Sequence, residues 1–331
     1  MPQTFNILIS SAGRRVALVQ LFQNALQELG IRGNVLAADL TSASSAWHVA
    51  DRAADAPRFA TGRFIDDMLA LCKREKIKLL VPTIDTELPL YAAAKNRFKE
   101  IGTEISISSP EAIRICNDKI ETHHWLSSLG MPLPRQASIA EVLDSPDDWP
   151  TPLIAKPKHG SSSTGMHRIH EIDDLKLIKW PELMIIETVA SGEEFTIDLY
   201  IDRTGKPRCA VPRQRLETRS GEVSKGMTVR HPGLQSIASQ IASELPGGFG
   251  VINIQAFLDQ ESGDINIIEI NPRFGGGYPL TEQAGATCTH WLIEDCLGLP
   301  LSVVEDTWRD GLAMLRYDDA VFVDKNKIKH G

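Results

Sequence analysis

The stretch Ile268-Glu269-Ile270-Asn271-Pro272-Arg273 alternates polar and apolar side chains. As a strand it puts Glu269 and Asn271 on one face, turns Ile270 to the other, and brings Arg273 next along the polar face. Upstream, Val251-Ile252-Asn253-Ile254-Gln255 repeats the alternation, and Asp259-Gln260-Glu261-Ser262-Gly263-Asp264 between them reads as a turn. A hairpin would therefore gather Asn253, Gln255, Glu269 and Asn271 on one surface. One carboxylate with amide oxygens suits Mg²⁺, with Mn²⁺ as the alternative, because such ions keep water and take further ligands from phosphates. Arg273 is then placed to hold a phosphoryl group in transfer. An isolated Glu-x-Asn pair would be no more than a polar sheet face bonded to itself; the facing strand and Arg273 favour the metal reading.

Two more clusters point to phosphates and a nucleotide. Lys156 ends an apolar strand and is followed by Pro157-Lys158-His159-Gly160-Ser161-Ser162-Ser163-Thr164-Gly165-Met166. Small residues let backbone amides approach an anion while Lys156 supplies charge; no Gly-Lys-Ser/Thr run follows, so this is not a Walker A loop. Taken alone it would be a flexible hairpin. Residues 184–198 read strand, short turn, strand. Glu187 is placed to accept from an adenine amino group, Glu194 to hold ribose hydroxyls, and Thr188 and Ala190 lie in the same hinge. Alone, these would be exposed glutamates beside a glycine turn.

The first hundred residues alternate apolar strands (Asn6-Ile7-Leu8-Ile9, Val35-Leu36-Ala37-Ala38, Leu79-Leu80-Val81, Ile105-Ser106-Ile107) with helical stretches over 14–29, 64–75 and 88–98. That rhythm predicts a parallel sheet covered by helices, with ligands beyond the carboxyl ends of its strands. Those ends are Ser10-Ser11-Ala12-Gly13-Arg14-Arg15, Asp39 and Pro82-Thr83-Ile84-Asp85-Thr86-Glu87. The first has one glycine, not the Gly-x-Gly-x-x-Gly of a dinucleotide site. Pro110 opens a helix after a boundary near Ser108-Ser109. From residue 183 the strands lengthen toward an antiparallel sheet, with a helix over 234–245.

At 331 residues the chain suits two or three packed lobes. A formal charge of −8 argues against a nucleic-acid partner. No apolar run reaches the roughly 18 residues of a membrane span, and residues 1–6 lack the features of a signal peptide. The scattered Cys72, Cys116, Cys209, Cys288 and Cys296 form no CxxC pair, which predicts reduced thiols and a cytoplasmic protein.

In this order, the three clusters resemble the ATP-grasp superfamily, and within it the repeated ATP-binding halves of the carbamoyl-phosphate synthase large subunit. The resemblance covers nearly the whole chain. It implies a Rossmann-like parallel-sheet domain (1–109), a small lobe with a glycine-rich lid (110–189) and a large lobe with the Mg site (190–331), a mixture of α/β and α+β architecture. In Asn117-Asp118-Lys119, Lys119 matches the first phosphate-directed cation, and Lys156 the second. Ser161, Ser162, Ser163, Thr164 and Gly165 match the lid, and Glu187, Thr188, Ala190 and Glu194 the adenine and ribose contacts. Gln255, Glu269 and Asn271 match the Mg²⁺ ligands, and Arg273 the clamp on phosphate and intermediate. Lys156 stands where the synthase has arginine, Arg219 to Lys225 where it has a His-Thr-Gly-Asp-Ser run, and the chain has room for one half only.

The resemblance implies Mg-ATP and a ligase joining a small-molecule carboxylate to an amine through an acyl phosphate, with Arg273, Lys156 and Asn271 as the catalytic groups. A homodimer is compatible with it. Alternatives are phosphorylation of bicarbonate or carbamate without an acceptor, and a non-catalytic ATP-binding subunit needing a partner. For the substrates, Thr83, Asp85 and Glu87 are candidates for an amine, and Arg14, Arg15, Arg213, Arg215 and Arg219 for a carboxylate or phosphate; each is otherwise an ordinary surface ion pair.

Overall fold

The computed structural model describes residues 4–59, 62–160, 165–219, 221–304 and 307–328. The chain begins with β1 (Asn6–Ser10), α1 (Val16–Glu28), β2 (Val35–Asp39), α2 (Ser45–Val49), β3 (Arg52–Asp55), α3 (Phe64–Glu75), β4 (Ile77–Pro82), α4 (Leu88–Glu100) and β5 (Glu104–Ile105). The strands form a parallel sheet in the order β3-β2-β1-β4-β5. All five residues of β1 are buried, as expected of a strand covered on both faces. The sequence reading missed α2 and β3, which are short and carry no apolar run, and it drew β5 too long.

Two helices follow, α5 (Pro110–Asn117) and α6 (Lys119–Ser128). Ser109 caps α5 through the Ala112 amide, and Asp118 caps α6 through the amides of Ile120 and Glu121. Lys119 is thereby fixed in the first turn of a helix, where the helix dipole disfavours a cation. That placement opposes local preference.

A small antiparallel sheet of order β6-β9-β7-β8 is built from β6 (Gln136–Ala137), β7 (Leu153–Pro157), β8 (His167–Ile169) and β9 (Met184–Thr188), with α7 (Ile139–Asp144) on it. Its apolar residues, among them Val142, Trp149, Leu153 and Ile186, make a core of their own. The larger antiparallel sheet has the order β14-β13-β10-β11-β12-β15. Its strands are β10 (Glu193–Ile201), β11 (Pro207–Arg219), β12 (Glu222–Thr228), β13 (Gly250–Leu258), β14 (Ile265–Asn271) and β15 (Ala313–Leu315). The helices α8 (Pro232–Glu244), α9 (Tyr278–Gln283) and α10 (Cys288–Leu297) complete the lobe.

Ala112 of α5 and Leu126 of α6 lie in the core of the large sheet, with Ile197, Ile254 and Ile270, so these helices pack on the large lobe rather than the small one. A further core runs from Ile7 and Phe22 of the first domain to Tyr200, Phe274, Tyr278 and Trp291 of the large lobe. The first domain and the large lobe thus share one apolar interior, while the small lobe stands on its own.

Inside the large lobe, Arg213 on β11 is fully buried against Asp198 on β10, with Nε–Oδ2 2.8 Å and Nη2–Oδ1 3.2 Å. Thr281 also donates to that carboxylate. Removing one partner of a buried pair leaves an unbalanced charge, so Asp198→Ala should cost about 3–5 kcal/mol. Denaturant unfolding checks this; a loss below about 1 kcal/mol would mean that the pair is well hydrated.

Candidate functional site

Across the β13–β14 ladder Asn253 lies opposite Asn271, and Gln255 opposite Glu269, as the hairpin requires. Asn271 Nδ2 donates to Glu269 Oε1 at 2.8 Å, and Asn253 Nδ2 donates to the Arg273 carbonyl at 2.9 Å, fixing the chain where it leaves β14. Gln255, Glu269, Asn271 and Arg273 line one cleft of about 510 Å³ together with Lys119, Lys156 and Glu194. Among the described residues no group of three or more His, Cys, Asp or Glu side chains is placed to hold a metal ion. A single carboxylate with amide oxygens fits a hard cation that completes its shell from water and phosphate, not zinc.

Arg273 grips Asp85, from the far domain, with two bonds: Nε–Oδ1 2.6 Å and Nη2–Oδ2 2.7 Å. Nη2 also reaches Asn271 Oδ1 at 3.3 Å. Burial works against its charge, but Asp85 and then Glu269 outweigh this and hold its pKa above the ordinary value. Nη1 is left with one long contact, 3.5 Å to the Phe274 carbonyl.

Lys156 on β7 pairs with Glu187 on β9 at 2.6 Å, both side chains being buried. Gln136 on β6 donates to the same glutamate at 2.9 Å. Glu187 thus meets a lysine and an amide within the small lobe. Lys119 donates to the Gly160 carbonyl at 2.9 Å. Burial pulls its ammonium below the ordinary range, against the attraction of Glu269. Glu194 lies 3.2 Å from Arg215 Nε, and burial raises its carboxyl against that cation. The Thr188 amide donates to the Arg135 carbonyl at 3.1 Å and its hydroxyl accepts from the Arg135 amide at 3.0 Å, and Ala190 is half-buried in the link between β9 and β10. Gly165 has φ +76°. The expected lid residues Ser161, Ser162, Ser163 and Thr164 lie outside the described residues.

Several residues expected at the substrate have other partners. Arg213 is sealed against Asp198 with its side chain 2 % exposed, and Arg219 is an exposed residue paired with Asp318. Asp85 is held by Arg273. Arg14 is exposed and lies 3.4 Å from Glu222 Oε2, which Arg316 approaches to 3.3 Å. Arg15 lines the cleft beside them, and burial and the Arg273 charge lower its pKa to about 10.

Sequence reasoning missed Glu222 and the loop Gly275-Gly276-Gly277 as cleft walls. The triple glycine was a usable signal of close backbone approach. A Cβ on Gly277 would lie 2.3 Å from Arg213 Nη1, and one on Gly276 3.0 Å from the Glu222 carboxyl carbon. Most charges on the cleft wall are balanced within the protein: Lys156 by Glu187, Glu194 by Arg215, Arg213 by Asp198, Arg273 by Asp85, Glu222 by Arg14 and Arg316, and His159 sits 3.6 Å from Asp118. Among the described residues, Lys119, Glu269 and Arg15 line it with no opposite charge within 4 Å.

Two antiparallel sheets clasping a cleft, lined by a lysine from each lobe and by a carboxylate–amide strand pair, define a protein built to hold a nucleotide between lobes. The sequence pattern of the PylC-like N-terminal domain matches residues 7–106, and that of the ATP-grasp domain matches residues 116–277. The chain is an ATP-grasp protein with a PylC-like N-terminal domain. It is 20% identical over 255 residues to the carbamoyl phosphate synthase large chain of Campylobacter jejuni, covering 69% of this chain and 23% of the relative. It is 29% identical over 140 residues to D-alanine–D-alanine ligase B of Pseudomonas putida, covering 40% and 44%. The chain thus matches less than half the length of these curated relatives. Its fold is shared with biotin carboxylase of C. jejuni, solved as a β,γ-ATP complex (TM-score 0.76, 16% identity, 94% of this chain and 74% of that one). It is also shared with N5-carboxyaminoimidazole ribonucleotide synthetase of Thermotoga maritima (TM-score 0.67, 21% identity, 91% and 78%). No helix among the described residues is long and apolar enough to cross a membrane.

Behind the cleft, Glu87 is fully buried. Its Oε1 accepts from Ser10 at 3.0 Å and from Ser11, and its Oε2 has no hydrogen-bond partner among the described residues. It therefore braces the β1–α1 loop and is not open to a substrate amine. Burial raises its pKa from 4.5 to about 7, with Asp39 adding to the rise and the serines opposing it. The folded chain then binds this proton more tightly than the unfolded chain, so stability falls as pH rises from about 4.5 to about 7 and stays lower above that. Glu87→Gln should remove this loss, on the order of 3 kcal/mol at most, with little effect near pH 4.5. Melting temperature against pH for both proteins checks it; parallel curves would refute the buried, protonated carboxyl.

Proposed function

We propose that the protein is an ATP- and Mg²⁺-dependent ligase that joins a small-molecule carboxylate to an amine. The observation carrying the proposal is the register of β13 and β14, which sets Gln255, Glu269 and Asn271 on the cleft wall with Arg273 at its end and leaves Glu269 and Lys119 without opposite charges within 4 Å. The names of the relatives, which include D-alanine–D-alanine ligase and carbamoyl phosphate synthase, support the same class of chemistry.

A substrate carboxylate oxygen attacks the γ-phosphorus of ATP, the bond to the β,γ-bridging oxygen breaks, and ADP leaves with an acyl phosphate formed. The amine then attacks the acyl carbon, phosphate departs from the tetrahedral intermediate, and the amine loses a proton to give the amide. The protein's part is to position and to neutralise. Lys119 donates to phosphate oxygens, exchanging its bond to Gly160. Lys156, anchored by Glu187, presents its charge from the small lobe. Arg273, oriented by Asp85, meets developing charge on the transferred group. Glu269, Asn271 and Gln255 would hold Mg²⁺, which supplies charge neutralisation at the phosphates.

Mixed pools of carboxylates and amines, scored by ADP release and by mass spectrometry of the product, test the class of reaction. Loss of an electrostatic stabiliser of this kind typically lowers turnover by about 10²–10³. Glu269→Ala should therefore keep the wild-type melting temperature within a few degrees and lose ADP release by at least that factor. A folded variant with near wild-type ADP release would sink the site.

A further inference from the structure

The β13–β14 pair offers four polar side chains to the cleft, and the proposed cation site uses three of them, Gln255, Glu269 and Asn271. The fourth is Asn253, and its surroundings differ. Gln255 and Glu269 are half-buried, and the Gln255 carboxamide has no hydrogen-bond partner among the described residues, which leaves its oxygen open to a cation. Asn253 is 3 % exposed, and its Nδ2 is committed to the Arg273 carbonyl at 2.9 Å.

That carbonyl needs a donor for a reason built into the sequence. β14 ends at Asn271, and Pro272 has no amide hydrogen to extend the ladder. The chain then bends, with the Arg273 amide donating to the Asn271 carbonyl at 2.9 Å. Past this bend no backbone amide among the described residues donates to the Arg273 carbonyl. A carbonyl that leaves a ladder must find its partner elsewhere, and Asn253, directly across from Asn271, supplies one. The next residue, Phe274, is sunk in the apolar core shared with the first domain, against Phe22 and Tyr278. Asn253 therefore holds the pivot at which the chain sends one side chain to Asp85 and the next into the core. Its roof is equally specific. A Cβ on Gly275 would lie 3.3 Å from Asn253 Nδ2, so bare backbone closes over the amide on that side.

Resting on the ligase reading, we infer that Asn253 is a positioning residue for Arg273 and not a fourth ligand of the cation. Asp85 orients the guanidinium from the first domain, and Asn253 fixes the backbone that carries it. A guanidinium is only as well placed as its own Cα, and a shift of about 1 Å in such a group can cost about 10²-fold in rate. Arg273 meets charge that develops during the transfer, whereas the Mg-nucleotide is held by other groups. Losing Asn253 therefore falls on kcat and leaves nucleotide and metal binding in place.

The test compares the full-length protein with Asn253→Ala, Asn253→Asp, Gly275→Ala and the double variant Asn253→Ala/Gly275→Ala. The aspartate keeps an oxygen for a cation but, ionised, cannot donate to a carbonyl. Mn²⁺ with ADP is the metal probe, its binding read from the electron paramagnetic resonance of free Mn²⁺. ADP release from mixed pools of carboxylates and amines reads turnover, and deuterium uptake by a peptide spanning 273–278 reads the backbone. Both Asn253 variants should lower kcat about ten- to a hundredfold and exchange faster at 273–278. Their Mn-ADP affinity and KM for Mg-ATP should stay within about threefold of wild type. Gly275→Ala should show the same pattern more weakly, and added to Asn253→Ala it should cost nothing further, because the amide it displaces is gone. It leaves β13 intact and so carries the test should the Asn253 variants not fold. Mn-ADP affinity that falls about tenfold or more in Asn253→Ala and is kept in Asn253→Asp makes Asn253 a ligand and overturns the inference. Wild-type exchange at 273–278 in the variants, or additive losses in the double variant, overturns it as well. A wild type that releases no ADP with any pair of substrates refutes the ligase reading alone, because metal affinity and deuterium exchange still decide whether Asn253 holds the Arg273 backbone.

Discussion

The bidentate pair between Arg273 and Asp85 joins residues 188 positions apart and defines where the cleft is. Asp85 follows the carboxyl end of β4, where an open parallel sheet offers its ligand crevice. Arg273 follows the end of β14, two residues beyond the last proposed metal ligand. Their contact closes the crevice of one domain with the working strand of another. As a source of stability such a pair is modest, because desolvation offsets much of its Coulomb energy. Its geometric value is larger, since two parallel bonds fix the plane of the guanidinium. The shared apolar core beneath, from Phe22 to Phe274 and Trp291, supplies the adhesion that the ion pair then orients.

Much of this was legible in the sequence, and what was legible was local. Alternation placed Asn253, Gln255, Glu269 and Asn271 on one face because period 2 follows from the strand backbone itself. A polar turn of suitable length then made a hairpin of the two strands. Helix 64–75 was read with the bounds it has in the structure, because its apolar spacing is regular and it is acidic in its first turn and basic in its last. The ion-pair partners were not legible. Nothing within ten residues of Glu187 says that Lys156 will hold it, or that Arg213 will turn inward to Asp198 while Arg215 beside it meets Glu194. On a strand, residues two apart share a face, and both arginines are largely covered, so which acid each meets depends on what packs above it. Arg213 lies under Thr281 and Gly277, far along the chain.

The same limit explains α5 and α6. Pro110 marks the start of α5, but nothing in the sequence says which sheet receives α5 and α6, and they join the core of the large lobe. Consequently Lys119 is carried by one lobe while its hydrogen-bond acceptor, Gly160, belongs to the loop of the other. The Lys119 amide also donates to the Lys158 carbonyl at 3.1 Å. The small lobe has a separate apolar core, so contacts of this kind help set its position on the rest of the molecule. Any anion that takes the Lys119 ammonium removes one of them.

The link between the lobes is shaped to keep that coupling short. Gly192 opens β10 at φ +95°, and a Cβ there would lie 2.2 Å from the Leu258 carbonyl oxygen. The backbone can pass this close to β13 only without a side chain. Glu187 and Glu194 therefore stand on either side of a turn pinned to the strand that carries Gln255. Glu187 is tied to Lys156 in the small lobe and Glu194 to Arg215 in the large lobe. A change in the angle between lobes would then alter the spacing between two ion pairs, whereas Gln255 and Glu269, on adjacent strands of the large sheet, keep theirs. The small-lobe charges that would meet the nucleotide are therefore adjustable relative to those that would meet the cation.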